Sequence, residues 1–174
     1  MRYTLHLFAT NEFFWTQSHG EEFLERTRNR VIREGRLTPS EIERGMHCAA
    51  AVLSGQLPDN CDQDHFWGLC WIAETVLERI PLESLVGVNS ISAIEDTGIL
   101  PTLWHSKPPF PVPVNSSNFP RVGFLPSTEM VQSRTVIKNL PSAMTQYGAS
   151  VRREFCEVLE SLEEDSLGLL AILI

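Results

Sequence analysis

The sequence predicts an α+β domain, mostly α, with a small sheet that joins the two ends of the chain. Three observations predict it. Residues 62–80, DQDHFWGLCWIAETVLERI, carry Phe66, Leu69, Cys70, Ala73, Val76, Leu77 and Ile80 at three- and four-residue steps, so these side chains share one helix face. Residues 39–53 and 142–164 repeat that period. Residues 2–9 alternate apolar and polar, and 167–174 form a short apolar run, both suited to strands. The expected architecture has five or six helices around the 62–80 helix, a sheet pairing the N- and C-terminal strands, and an ordered proline-rich loop. The 174 residues are expected to form a single domain. A chain of this length buries roughly 70% of its unfolded surface and needs neither disulfide nor metal to fold.

Taken in order, Tyr3, Leu5 and Leu7 give the first strand one buried side, with Thr4 and His6 on the other. Residues 11–34 read as helix, or as two helices broken near Gly20, with Phe13, Phe14, Phe23, Leu24, Val31 and Ile32 inward and Gly35 as the stop. Thr38-Pro39-Ser40-Glu41 is a helix start with a capping box, and Ile42, Met46, Ala49, Ala50 and Leu53 follow as a stripe up to Gly55. The small residues Ala49 to Ala51 allow close approach, so this helix is expected to pair antiparallel with the 62–80 helix. Asp62 and Asp64 suit the N-terminus of that helix, and Pro81 its end.

Residues 101–126 hold seven of the eleven prolines. KPPFPVPV at 107–114 should be extended, because each proline fixes φ and restricts its predecessor. Trp104, Phe110, Val112, Val114, Phe119, Val122, Phe124 and Leu125 are too apolar for a solvated linker, so this loop is expected to lie across the helices. Ser127 caps a helix to about residue 139. Ser142 starts the last long helix, whose stripe is Met144, Tyr147, Val151, Phe155, Val158, Leu159 and Leu162, and 167–174 is expected to pair with 5–9.

The net charge of −8 and pI near 5.1 argue against sequence-independent nucleic-acid binding, which needs a basic face to displace counterions. Arg26, Arg28, Arg30, Arg33 and Arg36 are interleaved with Glu25 and Glu34 and read as a solvated helix face. An acidic protein suits a basic protein partner, because complementary charge speeds encounter. Cys48, Cys61, Cys70 and Cys156 form no C-x-x-C pair and are read as reduced. No signal peptide opens these residues, and no run reaches the roughly 18 apolar residues of a membrane span. A cytoplasmic setting is expected, with neither membrane nor nucleic acid as partner and no cofactor.

No Walker loop, G-x-G-x-x-G, H-E-x-x-H or G-x-S-x-G is present. Glu43 and His47 are four apart on one helix face, and Asp64 and His65 open the 62–80 helix. Together they are a candidate metal or acid–base set, weighed against an exposed ion pair and a helix-terminal aspartate. Trp67, Trp71, Trp104 and Phe110 either line a binding surface or hold down this chain's own proline loop. Glu154, Glu157, Glu160, Glu163, Glu164 and Asp165 stand on the outer face of the last helix, either solvated or facing a basic partner. His6, His19 and His105 are isolated, and Ser106 and Ser116-Ser117-Asn118 have no companion base.

Pro111-Val112-Pro113-Val114, followed by Phe119-Pro120-Arg121-Val122-Gly123-Phe124-Leu125 and a helix containing Glu129, resembles an uncharacterised family of small bacterial proteins. The resemblance covers about 60–155, and departs where family members show a tyrosine-glycine pair and this chain has Phe66-Trp67-Gly68. It implies no catalytic residues. Small, acidic, solitary domains of this kind resemble immunity proteins that neutralise toxins. The expected function is an acidic protein-binding module, an inhibitor of the immunity or antitoxin type, binding through Trp104, Phe110, Glu160, Glu163 and Glu164. The alternative is a small hydrolase or metal-dependent enzyme using Glu43, His47, Asp64 and His65.

Overall fold

Both ends of the chain meet in the middle of one sheet. In the computed structural model, which describes residues 4–11, 20–85, 88, 90–104, 106, 108, 111–114, 120–141 and 146–174, β1 (Leu5–Thr10) pairs antiparallel with β4 (Gly168–Leu173). The register runs from Leu5 opposite Leu173 to Thr10 opposite Gly168. Two further strands flank this pair, giving the order β2-β1-β4-β3. The fold is thus α+β and mostly helical, with four strands where two were expected.

The added strands come from stretches with weak strand signals. β2 (Glu78–Ile80) pairs with Leu7 to Ala9 and takes the last residues of the predicted central helix. That helix, α3 (Gln63–Val76), stops at Val76 because the chain turns extended at Leu77, and Ile80 precedes Pro81, which disfavours the helical region for it. β3 (Arg121–Leu125) lies in the segment expected as loop and pairs with β4. It fits only because residue 123 is glycine: a Cβ there would stand 2.1 Å from the Leu103 carbonyl oxygen and 2.2 Å from the Trp104 ring.

Helices cover both faces of the sheet. On one face lie α1 (Gly20–Glu34), α2 (Pro39–Ser54) and α3, packed on Phe8, Leu170 and Ile172. On the other lie α4 (Ile91–Glu95), α5 (Leu100–Leu103), α6 (Met130–Lys138) and α7 (Gln146–Glu164), packed on Leu7, Ala9, Leu169, Ala171 and Leu173. Every residue of β4 is buried, which is why it reads as an unbroken apolar run. The expectation of one buried face on β1 is corrected on the same ground. His6, Phe8 and Thr10, on the supposedly polar side, are all buried against the α1–α3 layer.

α2 carries the predicted capping box, with Thr38 Oγ1 accepting from Glu41 N–H while Glu41 Oε2 accepts from Thr38 N–H at 2.7 Å. Gly55, at φ 70°, ends the helix. α2 and α3 run antiparallel, with Gly45 against Trp71 and Ala49 against Gly68. A Cβ on Gly68 would stand 2.7 Å from the Ala49 backbone nitrogen, which the helix cannot move aside. Gly68→Ala is therefore expected to cost about 1–3 kcal/mol in urea unfolding; an unchanged midpoint would mean that the two backbones do not approach this closely.

Three smaller expectations are revised, at Ile32, Val114 and Arg30. Ile32 and Val114 are exposed, at 54% and 59%. Pro111 packs at Gly55 and Val112 in the α2–α3 core, while the Val114 carbonyl accepts from Cys61 N–H at 2.7 Å, so this piece does strap the helices. Arg30 is not on a solvated face, since its guanidinium turns inward to Glu74 and Thr75. Tyr3, Phe13, Phe14, His19, His105, Phe110, Ser116, Ser117, Asn118, Phe119, Ser142 and Met144 lie outside the described residues.

Candidate functional site

Trp104 caps α5 and lies half-buried over Gly123, with the Arg121 guanidinium 5.2 Å from its ring centroid. Its faces are thus engaged by its own fold. Glu160 and Glu163 project from α7 toward α6, where Arg134 meets both, at 2.9 and 3.1 Å. Glu164 is exposed beside them, as is Glu157, one turn earlier on the same face. Glu154 turns the other way, its carboxylate accepting from the backbone N–H groups of Glu83 and Ser84.

Three of the four residues of the enzyme alternative take separate partners, and His47 stands apart from them. Glu43 accepts from Arg28 at 2.7 Å, which holds its carboxyl below the usual range. Asp64 pairs with Arg44 at 2.8 Å. His47 is exposed on an open cleft of about 1070 Å³ between the start of α1 and the end of α2. His65 is fixed by Asp62, its Nδ1 2.6 Å from Oδ1. That hydrogen bond is the main reason the Asp62 carboxyl is held low. The ring also approaches Cys48: one atom each from Cys48, Asp62 and His65 lie within 4.8 Å of one another. Burial pushes the Cys48 thiol up, so it stays protonated and unreactive near neutral pH.

A second constellation joins residues far apart in the chain. Cys70 and Glu74 are four apart on α3 and so face the same way, onto β1, where His6 stands. One ligand atom from each of the three lies within 4.8 Å of the other two. His6 is 6% exposed, and neither ring nitrogen has a hydrogen-bond partner among the described residues. Glu74 Oε1 comes only to 3.9 Å from Nδ1, because Arg30 holds the other carboxylate oxygen at 2.9 Å. The Trp67 ring meets the imidazole edge-on at 6.1 Å, and Phe8 stacks beside it. Burial, helped by the nearby Arg79 charge, lowers the His6 pKa to about 4. The Cys70 thiol, fully buried, is pushed up by the same desolvation. In the sequence His6 stands isolated, with no companion group near it, on the side of β1 opposite Leu5 and Leu7. The signal that could have found the cluster, unread in the sequence, is the four-residue spacing of Cys70 and Glu74 on one helix face, and its third member lies far off in the chain.

The fold and these clusters define a helix-covered antiparallel α+β domain with a polar cluster between β1 and α3. No family model, curated protein or solved structure matches the chain. No described helix is long and apolar enough to cross a membrane.

Proposed function

We propose that the protein is a binding module for a basic partner protein, an inhibitor of the immunity or antitoxin type. The observation that carries this reading is the carboxylate ridge along α7. Glu157, Glu160, Glu163 and Glu164 recur at three- and four-residue steps on one face, and Arg134 answers only Glu160 and Glu163. The net charge of −8 adds a long-range field of the same sign. Such a surface acts mainly on encounter rate, and it weakens as salt rises. The reading rests on these carboxylates rather than on Trp104, whose ring is occupied by Gly123 and Arg121.

Affinity capture of the tagged protein from its own cells at low salt is the test, with the variant Glu157→Lys/Glu164→Lys in parallel. Wild type is expected to retain one basic protein in stoichiometric amount and release it as salt increases. The double variant, both of whose sites are exposed, should keep its stability within about 0.5 kcal/mol. It should bind the captured protein at least roughly tenfold more slowly. Equal association rates would remove the ridge, and this function with it.

A further inference from the structure

We propose that His6, Cys70 and Glu74 form a binding site for one divalent cation of the zinc class, tying β1 to α3. This goes beyond the partner-binding reading and does not depend on it. The carrying observation is the imidazole of His6, 6% exposed with both ring nitrogens unpartnered among the described residues. A buried polar group left without a partner costs about 1–3 kcal/mol. Here that unused valence points into a space shared with a thiol sulfur and a carboxylate oxygen, all within 4.8 Å of one another.

The ligand chemistry selects the ion. A nitrogen, a sulfur and an oxygen donor are the set zinc takes, and the sulfur disfavours magnesium and calcium. Tetrahedral bonds of about 2.0–2.3 Å space ligand atoms about 3.3–3.8 Å apart; His6 Nδ1 and Glu74 Oε1 already stand at 3.9 Å, and no pair exceeds 4.8 Å, so small side-chain shifts close the set around the ion. On binding, the Cys70 thiol releases its proton to solvent and ligates as thiolate. Thiolate and Glu74 carboxylate then match the two positive charges of the ion, and His6 stays neutral. Arg30, bound to Glu74 Oε2 at 2.9 Å, orients the carboxylate so that Oε1 faces His6. Glu74 is 21% exposed, so the fourth position opens to solvent on that edge.

The same three residue types also make a cysteine–histidine–carboxylate nucleophile, but burial decides against it. Cys70 is 0% exposed, in the buried cluster that α3 shares with Phe8, Leu170 and Ile172 of the sheet, and no substrate reaches its sulfur. A single ion is small enough to enter from the edge at Glu74, which is 21% exposed.

The test is titration of the full, tag-free chain, stripped with chelator, using cobalt(II) chloride alone. One equivalent is expected to produce thiolate-to-cobalt charge-transfer absorption, and zinc chloride should displace it. Cys70→Ser should lose the band, while Cys48→Ser should keep it. Zinc should raise the melting temperature of wild type and leave that of Cys70→Ser unchanged. Should Cys70→Ser fail to fold, Glu74→Gln, at the solvent edge, should bind cobalt at least roughly tenfold more weakly than wild type. A folded wild type without the band, a band that survives in folded Cys70→Ser, or unchanged affinity in Glu74→Gln would overturn the site.

Discussion

Phe8→Ala is expected to cost about 3–5 kcal/mol, which for a chain of this size lowers the melting temperature by roughly 10 °C. Phe8 is fully buried, in the middle of β1, opposite Leu170 and against the α2–α3 layer. Truncation removes most of its apolar contact and leaves a cavity that two helices and a sheet cannot readily collapse. A loss of that size is a large part of the 5–15 kcal/mol that holds a typical domain folded. The substitution also discriminates between architectures. Were the sheet covered on one face only, with Leu5 and Leu7 inward, residue 8 would be solvated and its truncation would cost under about 0.5 kcal/mol. Urea unfolding of Phe8→Ala and Phe8→Leu, read with their m-values, measures this directly.

Acidification of the metal-free protein from pH 6.5 to about 4 is expected to withdraw about 3 kcal/mol through His6 alone, the difference between its lowered pKa and the ordinary value. The sign follows from proton counting. The unfolded chain protonates this imidazole near 6.5, whereas the folded protein resists until about 4. Between those values the unfolded state holds the extra proton. Stability is therefore complete above pH 6.5 and declines as pH falls through the window. The groups facing His6 account for the direction. Cys70 is neutral, Arg79 repels a positive ring from β2, and Glu74, the one carboxylate near among the described residues, is already held by Arg30 from α1 with Arg79 3.9 Å from its other oxygen. The carboxylates that pairing holds low, Glu41, Glu43 and Asp62, give up their contributions at lower pH. His6→Leu should accordingly unfold in urea with a flatter acid limb from pH 6.5 to 4.5, in chelator. Parallel limbs for the two proteins would mean that His6 is solvated.

The helices were legible because each carries its own evidence within a few residues. Thr38 and Glu41 cap α2 through bonds three residues apart, Asp62 caps α3, and the stripes of Val151, Phe155, Leu159 and Leu162 face inward as their spacing requires. Of the polar clusters, only Glu43 with His47 and Asp64 with His65 were read from the sequence, and the structure gives Glu43, Asp64 and His65 separate partners. β2 was hidden because three residues of Glu, Arg and Ile have no period of their own, and they become a strand only by bonding to Leu7 to Ala9. β3 was hidden by the prolines that flank it, Pro120 and Pro126, and by a glycine whose need shows only against Leu103 and Trp104. Arg134 could not be matched to Glu160 and Glu163, nor Arg30 to Glu74, since those pairs cross between helices.

By itself, then, the sequence determined the fold class, the main helices with their caps, and the pairing of the two chain ends, all of which follow from hydrophobic period and local backbone chemistry. The tertiary structure alone decided that both faces of the sheet are covered, and with that the fate of His6. Alternation along a strand separates two faces but does not say what lies over each. Only the packing of α3 on β1 turned a residue that reads as solvent-facing into a buried imidazole beside Cys70 and Glu74.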